Sequence, residues 1–201
     1  MSTDSMARPT TTARVITEVC APWVWCVSVP FAVAHHSVPG FWPGVGWAAL
    51  IAFGAAVVPM TIIGYGVRTG TVRSGHHVTA RAERLVPMLG VLLSAVALCA
   101  ILAVAAAPPS MTAVAVVMLV SGATCLAITL RWKVSVHAAV AAGSAALLTL
   151  LYGVTAGPLW LVTVAVCWSR VRLGAHTPHQ VLVGALIGTA AAGIYPLVMG
   201  L

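Results

Sequence analysis

The chain has 201 residues, of which 61% are hydrophobic and 6% charged, and its mean hydropathy is +1.05. A water-soluble domain carries about 25% charged residues because its surface must face water, so a soluble enzyme, a disordered chain and a coiled coil are excluded. Ten Lys and Arg against three Asp and Glu give a net charge of +7. In so apolar a chain that balance reads as membrane topology, not as the basic solvated face that nucleic acid requires.

Residues 1–14 are polar and form an uncleaved N-terminal tail, ahead of a membrane-embedded domain over 15–201. A spanning helix needs about 20 apolar residues, within a range of roughly 17–25. Apolar runs cover 15–34, with Glu18 near the start, then 42–67, with Pro59 inside, then 86–107 and 111–130. Two shorter runs follow, 138–152 and 159–168, separated by a break at 153–158 and able to extend into their polar flanks. A last run covers 181–201. The runs are rich in Ala, Val and Leu, too long for barrel strands and without period-2 alternation. The expected fold is therefore all-α, a polytopic membrane helical bundle of six to seven transmembrane helices.

Every Lys and Arg falls in the tail or in loops that alternate along the chain. Arg8 and Arg14 precede the first run; Arg68, Arg73, Arg81 and Arg84 follow the second. Arg131 and Lys133 follow the fourth, and Arg170 and Arg172 follow the sixth. All ten lie on one membrane face, which the positive-inside rule makes cytoplasmic; the Ala- and Val-rich usage points to a bacterial inner membrane. The five cysteines sit singly in apolar runs without CxxC spacing and suit packing better than a disulfide framework or a zinc site.

The same loops hold the concentrated chemistry. Their clusters run from His77 through Arg81 to Arg84, from Lys133 through Ser135 to His137, and from Ser169-Arg170 through His176 to Gln180. Ionisable groups at membrane depth are costly and mark functional sites. Several cations, two histidines and a serine, without an acidic cluster, suit an anion, and phosphate is the natural one. No carboxylate set is present to hold Mg²⁺, so neither metal nor cofactor is expected.

Thr177-Pro178-His179-Gln180 reads as a helix start. Thr caps, Pro suits the first helical position, and Gln three residues after Thr completes a capping box. The last helix then begins beside His176 and aims its amides and positive dipole end at whatever His176 faces. Ser135 reads as the cap of a helix carrying His137 in its first turn. Plainer roles exist too: Ser135 as a cap alone, Gln180 as a capping-box member, Lys133 and Arg84 as topology signals.

Ser169-Arg170, five residues, His176, three residues, Gln180, preceded by Ser135-x-His137 and an Arg-rich cluster, resembles the type-2 phosphatidic acid phosphatase superfamily of membrane lipid phosphatases. The resemblance spans roughly residues 77–190. It differs from the family pattern in five places: His77 stands for a lysine, Leu85 for a proline after Arg84, Val134 for a proline, Val136 for a glycine, and Gln180 for an aspartate. The His-Thr-x-x-Gln string resembles that of polyprenyl diphosphate phosphatases. The resemblance implies a metal-independent hydrolase in which His176 is the nucleophile and His137 the general acid, with Gln180 orienting His176. Arg170, Ser135, Lys133, Arg84, His77 and Ser169 would hold the phosphate of a membrane lipid phosphate presented at the cytoplasmic leaflet. A non-catalytic lipid-phosphate binder or transporter on the same scaffold is the alternative.

Overall fold

The computed structural model describes residues 9–69 and 81–200, with side chains described for 11–69 and 88–200. Among them there is no strand. The helices are α1 (Pro9–Val19), α2 (Pro22–Ser37), α3 (Phe41–Ala52), α4 (Val58–Arg68), α5 (Arg81–Val104), α6 (Pro109–Thr129), α7 (Val136–Tyr152), α8 (Pro158–Arg172), α9 (Pro178–Ala192) and α10 (Ile194–Met199). A π-helical turn, Phe53–Val57, joins α3 to α4, and a 3₁₀ turn, Gly153–Ala156, follows α7.

Four of these continuous stretches are long and apolar enough to cross a membrane: Phe41–Arg68, Pro109–Thr129, Val136–Ala156 and Pro178–Met199. Counting α1 and α2 as one bent span gives five, fewer than the six to seven expected. The shortfall has local causes. The first apolar run is broken at Cys20–Ala21, ahead of Pro22, and its halves meet at 41°. Among the described residues the apolar part of α5 is Met88–Val104, shorter than a span, and α8 has 15 residues. The run at 138–152 gains length from both flanks, as its composition allowed. Helix α1 begins at Pro9, inside the stretch read as a tail, and Ala13 is fully buried.

Helix α7 is the centre of the bundle. Ala138, Ala139, Ala142, Ser144 and Leu147 are all buried and lie on every side of the helix, and an all-round buried, mostly apolar helix belongs in an interior. Its most extensive partner is α9. The contact is made by backbone: Gly184 of α9 lies against the Ser135 carbonyl, and Gly188 against the Ala139 carbonyl and Gly143. Small residues four apart let membrane helices approach this closely. The register runs the same way along both helices, so α7 and α9 are parallel and their N-termini share one end of the bundle. The Ser135 N–H donates to the Gln180 carbonyl at 3.2 Å, pinning those two ends together. Outward faces are apolar instead of charged, as at Leu161 and Val164 of α8 and Leu182 and Leu186 of α9.

Candidate active site

The approach of Arg170 to His176 is set by the end of α8. Gly174, at φ +62°, takes the left-handed conformation that glycine adopts without steric cost. The chain then reverses, and the amides of Ala175 and His176 both donate to the Arg170 carbonyl, at 3.1 and 3.2 Å. The five-residue spacing in the sequence thus becomes one closed turn. Arg170 and His176 are 4% and 7% exposed, so both side chains are buried.

The chain restarts at α9 through the capping box foreseen in the sequence. Gln180 N–H donates to Thr177 Oγ1 at 3.4 Å, and Thr177 N–H donates to Gln180 Oε1 at 3.2 Å. The same Oε1 lies 3.2 Å from His176 Nδ1. A backbone N–H can only donate, so the amide atom facing Thr177 must be the oxygen, and that oxygen can only accept. His176 therefore carries a proton on Nδ1, and in the neutral ring Nε2 is the nitrogen with the lone pair. One glutamine thus caps the helix and fixes the tautomer. Such an imidazole presents Nε2 as a base or nucleophile. Gln180→Asp keeps an acceptor in reach and adds a charge that stabilises imidazolium. Any His176-dependent turnover is expected to be kept or raised in this variant, and to fall about tenfold or more in Gln180→Ala. Initial rates of the two variants at one pH check this.

Ser135 caps α7, its Oγ accepting from Ala138 N–H at 3.3 Å, and His137 follows in the first turn. His137, Arg170 and His176 all line one cavity of about 430 Å³. This convergence, from two chain segments that meet through the α7–α9 contact, places two imidazoles and one guanidinium on a common space. Two parallel helix N-termini add positive partial charge at the same end. The rest of the cavity is mostly apolar. It follows α6 from Cys125 to Val114 and α7 from Val136 to Leu147, about 16 Å along each helix at 1.5 Å per residue. The π turn contributes Ala55 and Ala56 to its wall.

The other sequence candidates lie elsewhere or outside the described residues. Ser169 is fully buried, but its hydroxyl faces α1 and does not line the cavity. The Ser135 hydroxyl is occupied with its cap and is also absent from the lining. Lys133 is half-buried in the turn before α7. The backbone of Arg84 lies in the first turn of α5, with its side chain outside the described residues, and His77 lies outside them entirely. Among the described residues no cluster of His, Cys, Asp and Glu is placed to hold a metal ion.

Two residues of α1 reach the site without having been singled out for it. Glu18 lines the cavity with Arg170 and the two histidines, and Thr17 bonds Ser169 and Arg170 behind it. For Glu18 the signal was present, since an ionisable residue in an apolar run marks function by default. Thr17 carried none.

No protein family, curated protein or solved structure matches the chain at a significant level.

Proposed function

We propose that the protein is an integral-membrane lipid phosphatase that hydrolyses the phosphate or diphosphate of an isoprenoid or glycerol lipid. One observation carries the reading: Arg170, His137 and His176, with Glu18 beside them, line one end of a cavity that is apolar along the rest of its length. A ligand matching both ends is an amphiphile with an anionic head. Phosphate suits the guanidinium and helix-terminus donors, which favour planar or bidentate contact with its oxygens.

In this mechanism His176 Nε2 attacks phosphorus and the lipid alcohol or phosphate departs with a proton from His137. The product is a phosphohistidine. His137, now neutral, takes a proton from water as that water attacks the phosphohistidine, releasing inorganic phosphate and restoring both imidazoles. Arg170 and the N-terminal end of α7, where Val136 and His137 line the cavity, balance charge on the phosphoryl oxygens as it develops. Gln180 holds the Nδ1 proton, so that in the neutral ring the attacking nitrogen is Nε2.

Seven crossings fit this reading. The bent α1–α2 pair, α3 with α4, α5, α6, α7, α8, and α9 with α10 each cross once, and the cations then share the cytoplasmic face. The apolar outward residues of α8 support its membrane placement.

Release of inorganic phosphate by the purified protein from a prenyl diphosphate, a prenyl phosphate and a phosphatidate tests the reading. Turnover of at least one is expected. Tight binding without release from any of them would instead favour a lipid-phosphate binder, the alternative to which Val136 and Gln180 point as departures from the commoner phosphatase pattern.

A further inference from the structure

Helix α1 packs along α8, and the contact contains a buried chain of polar groups. Thr17 is 2% exposed and Ser169 fully buried. Their hydroxyl oxygens are 3.0 Å apart, Ser169 Oγ lies 2.8 Å from the Val166 carbonyl, and Arg170 Nη1 lies 3.5 Å from Thr17 Oγ1. The direction of every bond is fixed by its ends. A carbonyl only accepts, so the Ser169 proton goes to Val166 and Ser169 Oγ must accept from Thr17. Thr17 has then spent its one proton and its oxygen accepts from Arg170, which only donates. The relay runs from Arg170 through Thr17 and Ser169 to the Val166 carbonyl.

We propose that Thr17 is a positioning residue that holds the Arg170 guanidinium by one nitrogen, so that its remaining donors face an anion in the cavity. Arg170 Nε is buried and has no hydrogen-bond partner among the described residues, while Arg170 itself lines the cavity. A guanidinium is a rigid planar fork, so anchoring one corner fixes the direction of the others. Lost freedom is then settled before the ligand arrives, which is how preorganised donors gain affinity. Helix α1 becomes part of the anion site and not merely its lead-in. This assignment rests on the phosphate reading of the cavity.

The test is a double-mutant cycle on the purified full chain, with inorganic phosphate as competitive inhibitor and phosphate release from a prenyl phosphate as the rate. Thr17→Val keeps shape and removes the hydroxyl; its inhibition constant is expected to rise about tenfold, the scale of a hydrogen bond to a charged group, and Thr17→Ser to restore it. In the Arg170→Ala background, Thr17→Val is expected to add less than twofold, because a positioning residue has nothing left to position. An unchanged inhibition constant in Thr17→Val, or a tenfold loss that persists without Arg170, overturns the assignment. A wild-type protein that neither binds nor releases phosphate overturns the phosphatase reading and this inference with it. An active wild type with an indifferent Thr17 overturns this inference alone.

Discussion

His176→Ala is expected to lower phosphate release from the best lipid substrate by at least about 10⁴-fold, the scale seen when a covalent nucleophile is removed. The effect should fall on chemistry and not on folding. The hydrogen bond that His176 gives to Arg170 comes from its backbone amide, so the turn at Gly174 survives the substitution. What is lost is the imidazole whose Nδ1–H is held by Gln180 and whose Nε2 carries the lone pair. The α7 and α9 N-termini, Arg170 and His137 remain, so binding of inorganic phosphate should persist within a few-fold. Steady-state release, together with trapping of radiolabelled phosphate on the wild-type protein alone, checks this. Turnover near the wild-type rate in His176→Ala would remove the nucleophile assignment, and equal labelling of both proteins would place the phosphoryl group elsewhere.

The second large effect is structural. Gly188→Ala sets a methyl group against the Ala139 carbonyl oxygen, 2.7 Å from the Ala139 carbonyl carbon and 2.8 Å from the Gly143 nitrogen. These are backbone atoms, and no rotamer change can move them aside. The helices must separate, and the cost is expected to reach about 3 kcal/mol or more, at the upper end for overpacking. Gly64→Ala is the matched control. No atom lies within 4 Å of its added Cβ, so it should be neutral or stabilising by about 0.5–1 kcal/mol, the helical preference for alanine. Thermal or denaturant unfolding in detergent separates the two. Gly188→Ala as stable as wild type would mean that the α7–α9 seam is looser than described. Because Ser135, His137 and Gln180 all sit at the pinned end of this seam, activity should fall with the fold.

How much of this was legible beforehand differs by element. Long apolar runs gave α3 with α4, α6 and α9 directly, since length and hydropathy alone decide whether a helix can span, whereas α7 reached that length only by extending the shorter run 138–152 into its flanks. The Thr177 capping box and the Ser135 cap were readable because a cap is a local contract between residues three apart. The break at Cys20–Ala21 was not foreseen, although Pro22 stood next to it, because the apolar run passes through the break unchanged. The α7–α9 seam was present as Gly184-x3-Gly188 opposite Ser135-x3-Ala139-x3-Gly143, but in a chain this rich in Gly and Ala such a spacing does not stand out. Thr17 was invisible. Its partners lie more than 150 residues away in sequence, and nothing local distinguishes it from Thr10, Thr11 or Thr12. The phosphate roles expected of Ser135 and Ser169 came from motif spacing, which fixes neighbours along the chain but not the direction in which a hydroxyl points.

The parallel course of α7 and α9 has a consequence for the bilayer itself. Two helices that start at the same end require the chain between them to travel back, and in the seven-crossing topology we propose α8 makes that return with 15 residues. At 1.5 Å per residue that is roughly 22 Å, against a hydrocarbon core of about 30 Å. Tilting shortens the reach further, so the mismatch is met by lipid. Acyl chains beside α8 compress, or headgroups sink toward its ends, at a cost of fractions of a kcal/mol per ångström. The membrane should be pinched along that flank of the molecule, and a thin bilayer should suit this protein better than a thick, sterol-stiffened one.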